Sequence, residues 1–260
     1  MTSSEDRLGG EAVIPPPVRS LRPFVARVLL ITDGQSLPED ASVAQRASPR
    51  DEHQRLEATL SAVLSAVPPG TLAVQLRNRQ LSTQALHDRA VVLRALTSRH
   101  GAPLLINDRL DVALAVDADG VHLPGRGLPA HIVRRFVGSR LQICAAAHGV
   151  TEARLLAQAG ADAVTLSPIW PTPSKPTRPS EPDGVRPLGL DVLALAVRSL
   201  PVPVFALGGI DTVDRVAACS VVGARAACLR ALLPAAYESA AARAAAFVAA
   251  AQPHFPKTVC

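Results

Sequence analysis

Short apolar runs alternate with longer amphipathic stretches from Val25 nearly to the end of the chain, and this alternation restricts the fold more than any other feature. The apolar runs read as strands over Val25 to Thr32, Thr71 to Leu76, Pro103 to Ile106, Gly120 to Leu123, Gln142 to Ala147, Ala163 to Ser167, Val202 to Leu207 and Arg225 to Leu229. Apolar residues at helical spacing fill the intervals: Asp51 to Val67, Ser82 to His100, Arg109 to Val116, Pro129 to Val137, Thr151 to Ala159, Gly189 to Ser199, Thr212 to Cys219, and an alanine-rich terminal helix over 235–251. Strands that are each followed by a helix pair in parallel, and eight such units close into a single (β/α)8 TIM barrel. A doubly wound sheet is the main alternative, but no GxGxxG follows the first strand, where a dinucleotide fold would place one. Beyond the alternation itself no sequence-level repeat is evident.

The ends and two loops fall outside this pattern. Residues 1–22 are polar and then proline-rich and read as a flexible N-terminal arm, 23–252 as the barrel, and 253–260 as a tail. The loops at 33–50 and 176–187 are long enough to act as lids.

At 260 residues and 48% hydrophobic, the chain can bury one substantial core. Its net charge is +5, but 25 of the 27 cationic side chains are arginines scattered along the sequence, Lys175 and Lys257 being the two lysines. No basic block points to nucleic acid, and 3% aromatic residues leave few stacking platforms for single strands. No apolar run reaches membrane-spanning length, and the N-terminus lacks the pattern of a secretory signal. Cys144, Cys219, Cys228 and Cys260 form no CxxC pair, which fits buried thiols in a reducing cytoplasm. Small-molecule chemistry is therefore expected, and a homo-oligomer is compatible with the sequence.

Chemistry in such barrels collects where strands end, and those positions here are polar. Gln75, Arg77 and Arg79 end the second strand, Asn107 and Asp108 the third, and His148 the fifth; His122 lies within the fourth. The sixth empties into a proline-stiffened loop bearing Thr172, Ser174 and Lys175, two hydroxyls and an ammonium suited to an oxyanion. Gly208 and Gly209 follow the seventh and Arg230 the eighth, at the loops where these barrels commonly hold phosphate. His122, between Val121 and Leu123, points into the barrel and reads either as a satisfied core histidine or as a substrate-binding group; His148, at a strand end, is placed to meet a substrate proton or to serve the structure. Asp108 is open to three roles: metal ligand, cap of the next helix, or partner of Arg109.

Four motifs in order, VQLRNR at 74–79, LLINDRLDVALAVDADGVHLP at 104–124, GADAVTLSPIWPTPSKP at 160–176 and PVFALGGI at 203–210, resemble the thiamine phosphate synthase and thiazole tautomerase superfamily. The resemblance implies a barrel enzyme of thiamine biosynthesis. Its synthases join hydroxymethylpyrimidine diphosphate to a thiazole phosphate with Mg2+ assisting, and its tautomerases aromatise a thiazole phosphate carboxylate without a cofactor. By the same resemblance Gln75, Arg77 and Asn107 match the pyrimidine diphosphate pocket and Asp108 one Mg2+ ligand. Thr172, Ser174 and Gly209 match thiazole phosphate contacts, and Lys175 the lysine facing the diphosphate. Two departures stand out. Synthases have REK where this chain has Arg77, Asn78 and Arg79, and GQED after VHL where it has Pro124, Gly125, Arg126 and Gly127, so glycine replaces the second Mg2+ ligand. The departures favour a metal-independent tautomerase-like enzyme acting on thiazole phosphate, with His148 moving the proton. A thiamine phosphate synthase is the alternative, and a non-catalytic binder of thiazole or thiamine phosphates the third reading.

Overall fold

The computed structural model describes residues 24–32, 49–172, 186–229, 231–233 and 237–252. The expected arm, the tail and most of both candidate lids lie outside the described residues. Within them the chain runs β1 (Val28–Ile31), α1 (Pro49–Ser65), β2 (Leu72–Leu76), α2 (Thr83–Arg99), β3 (Leu104–Asn107), α3 (Leu110–Ala115), β4 (Gly120–Leu123) and α4 (Ala130–Val137). It continues through β5 (Gln142–Ala147), α5 (Val150–Gln158), β6 (Ala163–Leu166), α6 (Gly189–Ser199), β7 (Val204–Leu207), α7 (Val213–Val221), β8 (Arg225–Cys228) and α8 (Tyr237–Ala250). The eight parallel strands close in sequence order, β8 pairing with β1 through Val28↔Ala226 and Leu30↔Cys228. The expected barrel is thus the observed one, with shorter strands at several ends.

Side chains of a strand alternate between its two faces, and in a closed barrel those faces are inside and outside. Leu29 and Ile31, Ala73, Leu105, Cys144, Ala163, Phe205 and Ala227 form one buried cluster, the barrel interior. The alternate residues, such as Leu30, Val74, Ile106, Val121, Ile143 and Val164, join the surrounding helices in a second and larger core. Cys144, Cys219 and Cys228 are buried and free, and burial pushes their thiols up to about 12, so they are inert packing groups.

The amino-terminal end of the barrel is closed by charge. Asp119, just before β4, accepts from Arg94 Nη1 of α2 at 2.5 Å and from the Leu104 amide at 2.8 Å. Asp162, just before β6, repeats the arrangement with Arg134 Nη2 of α4 and the Ile143 amide at 2.7 Å. Each carboxylate ties a helix to the start of the following strand. A repeat does therefore exist, Ala118–Leu123 (ADGVHL) against Ala161–Leu166 (ADAVTL), and it escapes notice because only the Asp and the alternating apolar positions are held in common. Arg225 Nη1 closes the remaining sector by donating to the carbonyls of Phe24 and Ala26, with its guanidinium carbon 5.6 Å from the Phe205 ring centre.

Candidate active site

At the opposite end the inward-facing strand positions form the floor of an open cavity of about 940 Å3. Its floor is divided. Gln75 of β2, Asn107 of β3, His122 of β4 and Thr165 of β6 make one polar sector, while Ile31, Leu207 and Leu229 make an apolar one. Gln75 Nε2 donates to Asn107 Oδ1 at 3.0 Å, and His122 Nε2 bonds Thr165 Oγ1 at 3.1 Å. Among the described residues two buried atoms remain without a partner, Gln75 Oε1 and His122 Nδ1. A buried polar atom left unpaired costs about 1–3 kcal/mol, so both positions favour a ligand that supplies hydrogen-bonding groups.

Of the two roles open to His122, the structure favours the ligand-facing one over the satisfied core histidine, since one ring nitrogen has no partner among the described residues and the ring lines the cavity. Burial and, secondarily, the cation of Arg77 push its pKa down to about 4, so the ring is neutral at physiological pH. Thr165, its partner, was not singled out from the sequence. The ADGVHL/ADAVTL correspondence would have found it, because Thr165 occupies the place of His122 in the second copy.

His148 also lines the cavity, and its Nδ1 lies 2.8 Å from the Ser167 carbonyl oxygen. A carbonyl only accepts, so Nδ1 carries the proton and Nε2 is the basic nitrogen of the neutral ring. The backbone N–H of His148 donates to Glu152 at 2.7 Å, which fixes the turn into α5.

Gly208 and Gly209 line the cavity too, and packing by itself requires glycine at both positions. Their φ values are 99° and 69°. A Cβ on Gly208 would lie 2.7 Å from Pro168 Cβ, and one on Gly209 2.7 Å from Trp170 Cβ. Glycine is required because the β6 loop packs directly on this turn, stitched by Ile169 N–H to Leu207 O at 2.9 Å and Trp170 N–H to Gly208 O at 3.1 Å. The pair thus couples two of the three loops expected to hold phosphate. Thr172 lines the same cavity, whereas Ser174, Lys175 and Arg230 lie outside the described residues.

The rim carries Arg77, Arg79, Arg109 and Arg126. Arg109 is engaged in a two-pronged pair with Asp111 and starts α3 without a side-chain cap. Asp108 therefore neither pairs with Arg109 nor caps that helix. It is exposed, has a φ of 65°, and makes no side-chain hydrogen bond with the described residues. Asp211, the other carboxylate on the cavity wall, is held by Arg215 at 2.8 Å.

A divalent ion is what the resemblance implied beside Asp108, and the donor set fits it poorly. A Cβ at Gly127 would lie 2.8 Å from Asp108 Oδ1, so position 127 does face Asp108, but it offers no carboxylate. No group of three His, Cys, Asp or Glu side chains able to hold a metal occurs among the described residues. One carboxylate beside an arginine-lined rim is a weak resident site for Mg2+.

Known proteins resemble this chain in sequence and in fold. A family model described as thiamine monophosphate synthase matches residues 47–232. The thiamine-phosphate synthase of Roseiflexus castenholzii is 37% identical over 194 residues, 74% of this chain and 81% of that protein. The thiamine-phosphate synthase of Chloroflexus aurantiacus is 39% identical over 151 residues, 58% and 67% of the respective chains. Among solved structures, thiamine phosphate pyrophosphorylase from Pyrococcus furiosus superposes with a TM-score of 0.69 at 26% identity, covering 89% of this chain and 98% of that one.

Proposed function

The chain belongs to the thiamine monophosphate synthase family, and from that premise we propose that it joins hydroxymethylpyrimidine diphosphate to a thiazole phosphate with release of diphosphate. It is an enzyme of thiamine biosynthesis. The synthase, the alternative to the tautomerase in the sequence, is the better supported reading because similar proteins are named as synthases. The observation that carries it is the divided floor under an arginine rim: two unpaired buried polar atoms for a nitrogen heterocycle, an apolar sector for a second ring, and cations for an anionic leaving group.

In this reading Gln75 Oε1 accepts from the exocyclic amine of the pyrimidine, with Asn107 holding the amide in place, and His122 Nδ1 serves the same ring. Arg77 and Arg79 take the diphosphate, with Lys175 facing it. Thr172 and Ser174, the β7 turn at Gly208 and Gly209, and Arg230 take the thiazole phosphate. The thiazole nitrogen donates its electron pair to the pyrimidine methylene carbon, and the carbon–oxygen bond breaks with its pair leaving on the diphosphate. The cations stabilise the charge as it develops. No proton need move in this step, so His148 is a lining group rather than the catalytic base.

The fixed tautomer of His148 is the one observation that favours the tautomerase as a second reading, because it presents a basic Nε2 in the cavity. Free buried thiols agree with a reducing cytoplasm, and no helix among the described residues is long and apolar enough to cross a membrane. The test is chromatography for thiamine phosphate after incubation with both substrates and Mg2+. Product formation that survives His148→Ala within about tenfold is expected. Absence of product from folded protein would return the weight to tautomerisation.

A further inference from the structure

A departing diphosphate concentrates several negative charges, and a site that releases it must spread them. Where a second carboxylate would complete a divalent site opposite Asp108, this chain has Gly127, and the residue immediately before it is Arg126. Arg126 is exposed on the cavity rim and makes no ion pair or hydrogen bond with the described residues. Arg79 is in the same condition, and Arg77 lies on the same wall. Asp211, the other carboxylate lining the cavity, is engaged by Arg215, so Asp108 is the cavity carboxylate that forms no direct ion pair among the described residues.

We propose, resting on the synthase reading above, that the diphosphate is bound directly by guanidinium groups, with Arg126 as an added anchor beside Arg77 and Arg79, in place of a divalent ion held by two carboxylates. A guanidinium is charged at every physiological pH and presents paired N–H donors that match two phosphate oxygens, so it needs no anionic ligands of its own. Losing the carboxylate at 127 and gaining the cation at 126 are then one change: the first removes what would hold a metal, and the second supplies charge that the metal would have brought. The bond-making step is unaltered, because the electron pair still leaves on the diphosphate oxygen.

Calorimetric titration of chelator-treated protein with inorganic diphosphate tests this directly. Wild type is expected to bind in EDTA, with added Mg2+ changing the Kd by less than about threefold. Arg126→Gln, an exposed position whose melting temperature should not move, is expected to weaken binding in EDTA by about tenfold or more. Binding that requires Mg2+, or an Arg126→Gln affinity equal to wild type, overturns the proposal. Thiamine phosphate formation, followed in parallel, separates the two claims. Arg126-dependent binding in EDTA without turnover supports the anchor and sinks the synthase reading, and Mg2+-dependent turnover with Mg2+-dependent binding does the reverse.

Discussion

The two ends of the barrel use arginine in opposite ways. At the amino-terminal end Arg94 and Arg134 are each matched to an aspartate that also receives a strand amide, and Arg225 is matched to two backbone carbonyls. At the carboxyl end Arg79 and Arg126 meet no ion-pair partner among the described residues and line a cavity. The same side chain thus closes the structure at one end and, unmatched by protein charge, sets up a field for an anion at the other. The separation of stability from recognition between the two ends should be open to attack from either side.

Breaking the closed end should have the largest effect. Asp162→Ala strands the Ile143 amide and leaves the Arg134 guanidinium with backbone carbonyls alone, and urea unfolding should show a loss of about 3 kcal/mol. Diphosphate affinity of the folded fraction should stay within about twofold of wild type. A comparable loss of affinity would mean that the ends are not independent.

Acid tests the floor that joins them. His122 is held at about 4 in the fold against 6.5 ordinarily, so the unfolded chain takes up its proton first as pH falls. Stability is fully present above pH 6.5 and is lost progressively down to pH 4, by about 3 kcal/mol at most. Denaturant midpoints measured across that window should show the slope, and His122→Asn should flatten it.

Gly209→Ala attacks the turn under the β6 loop. At a φ of 69° with Trp170 Cβ 2.7 Å away, the added methyl should cost about 2 kcal/mol and raise KM for the thiazole phosphate more than for the pyrimidine diphosphate. An equal rise in both would place the turn's influence elsewhere in the cavity. The smallest effect on stability belongs to the open end: Arg79→Gln should change it by less than about 0.5 kcal/mol while raising KM for the pyrimidine diphosphate about tenfold.

How far the sequence could be read follows the same division. The strand–helix alternation, and with it the barrel, was legible because apolar periodicity is local. Gly189–Ser199 and Gln142–Ala147 were even placed to the residue. Pro49 and Arg50 continue the polar loop by sequence pattern yet open α1, where a first-turn proline is well tolerated. Gln75, Asn107 and Thr172 were expected at the site and do line one cavity. What could not be read were pairings across the barrel. Period two puts His122 inside, but that Thr165 meets only one of its nitrogens depends on a strand two places away. That packing as well as any ligand demands glycine at 208 and 209 likewise shows only once the β6 loop is seen pressed against them. Arg126 was noticed as a departure, yet its meaning depends on position 127 facing Asp108, a contact between the ends of two different strands.

The duplicated Arg–Asp clamp also says where this chain is divisible. The first clamp closes within 94–119 and the second within 134–162, and these stretches do not overlap. New chain ends opened at Gly125 leave both intact, whereas ends opened at Gly149 put Arg134 and Asp162 at opposite extremes of the polypeptide. The barrel is in this sense modular over these two segments, each carrying its own fastener and each best interrupted at the seam between them.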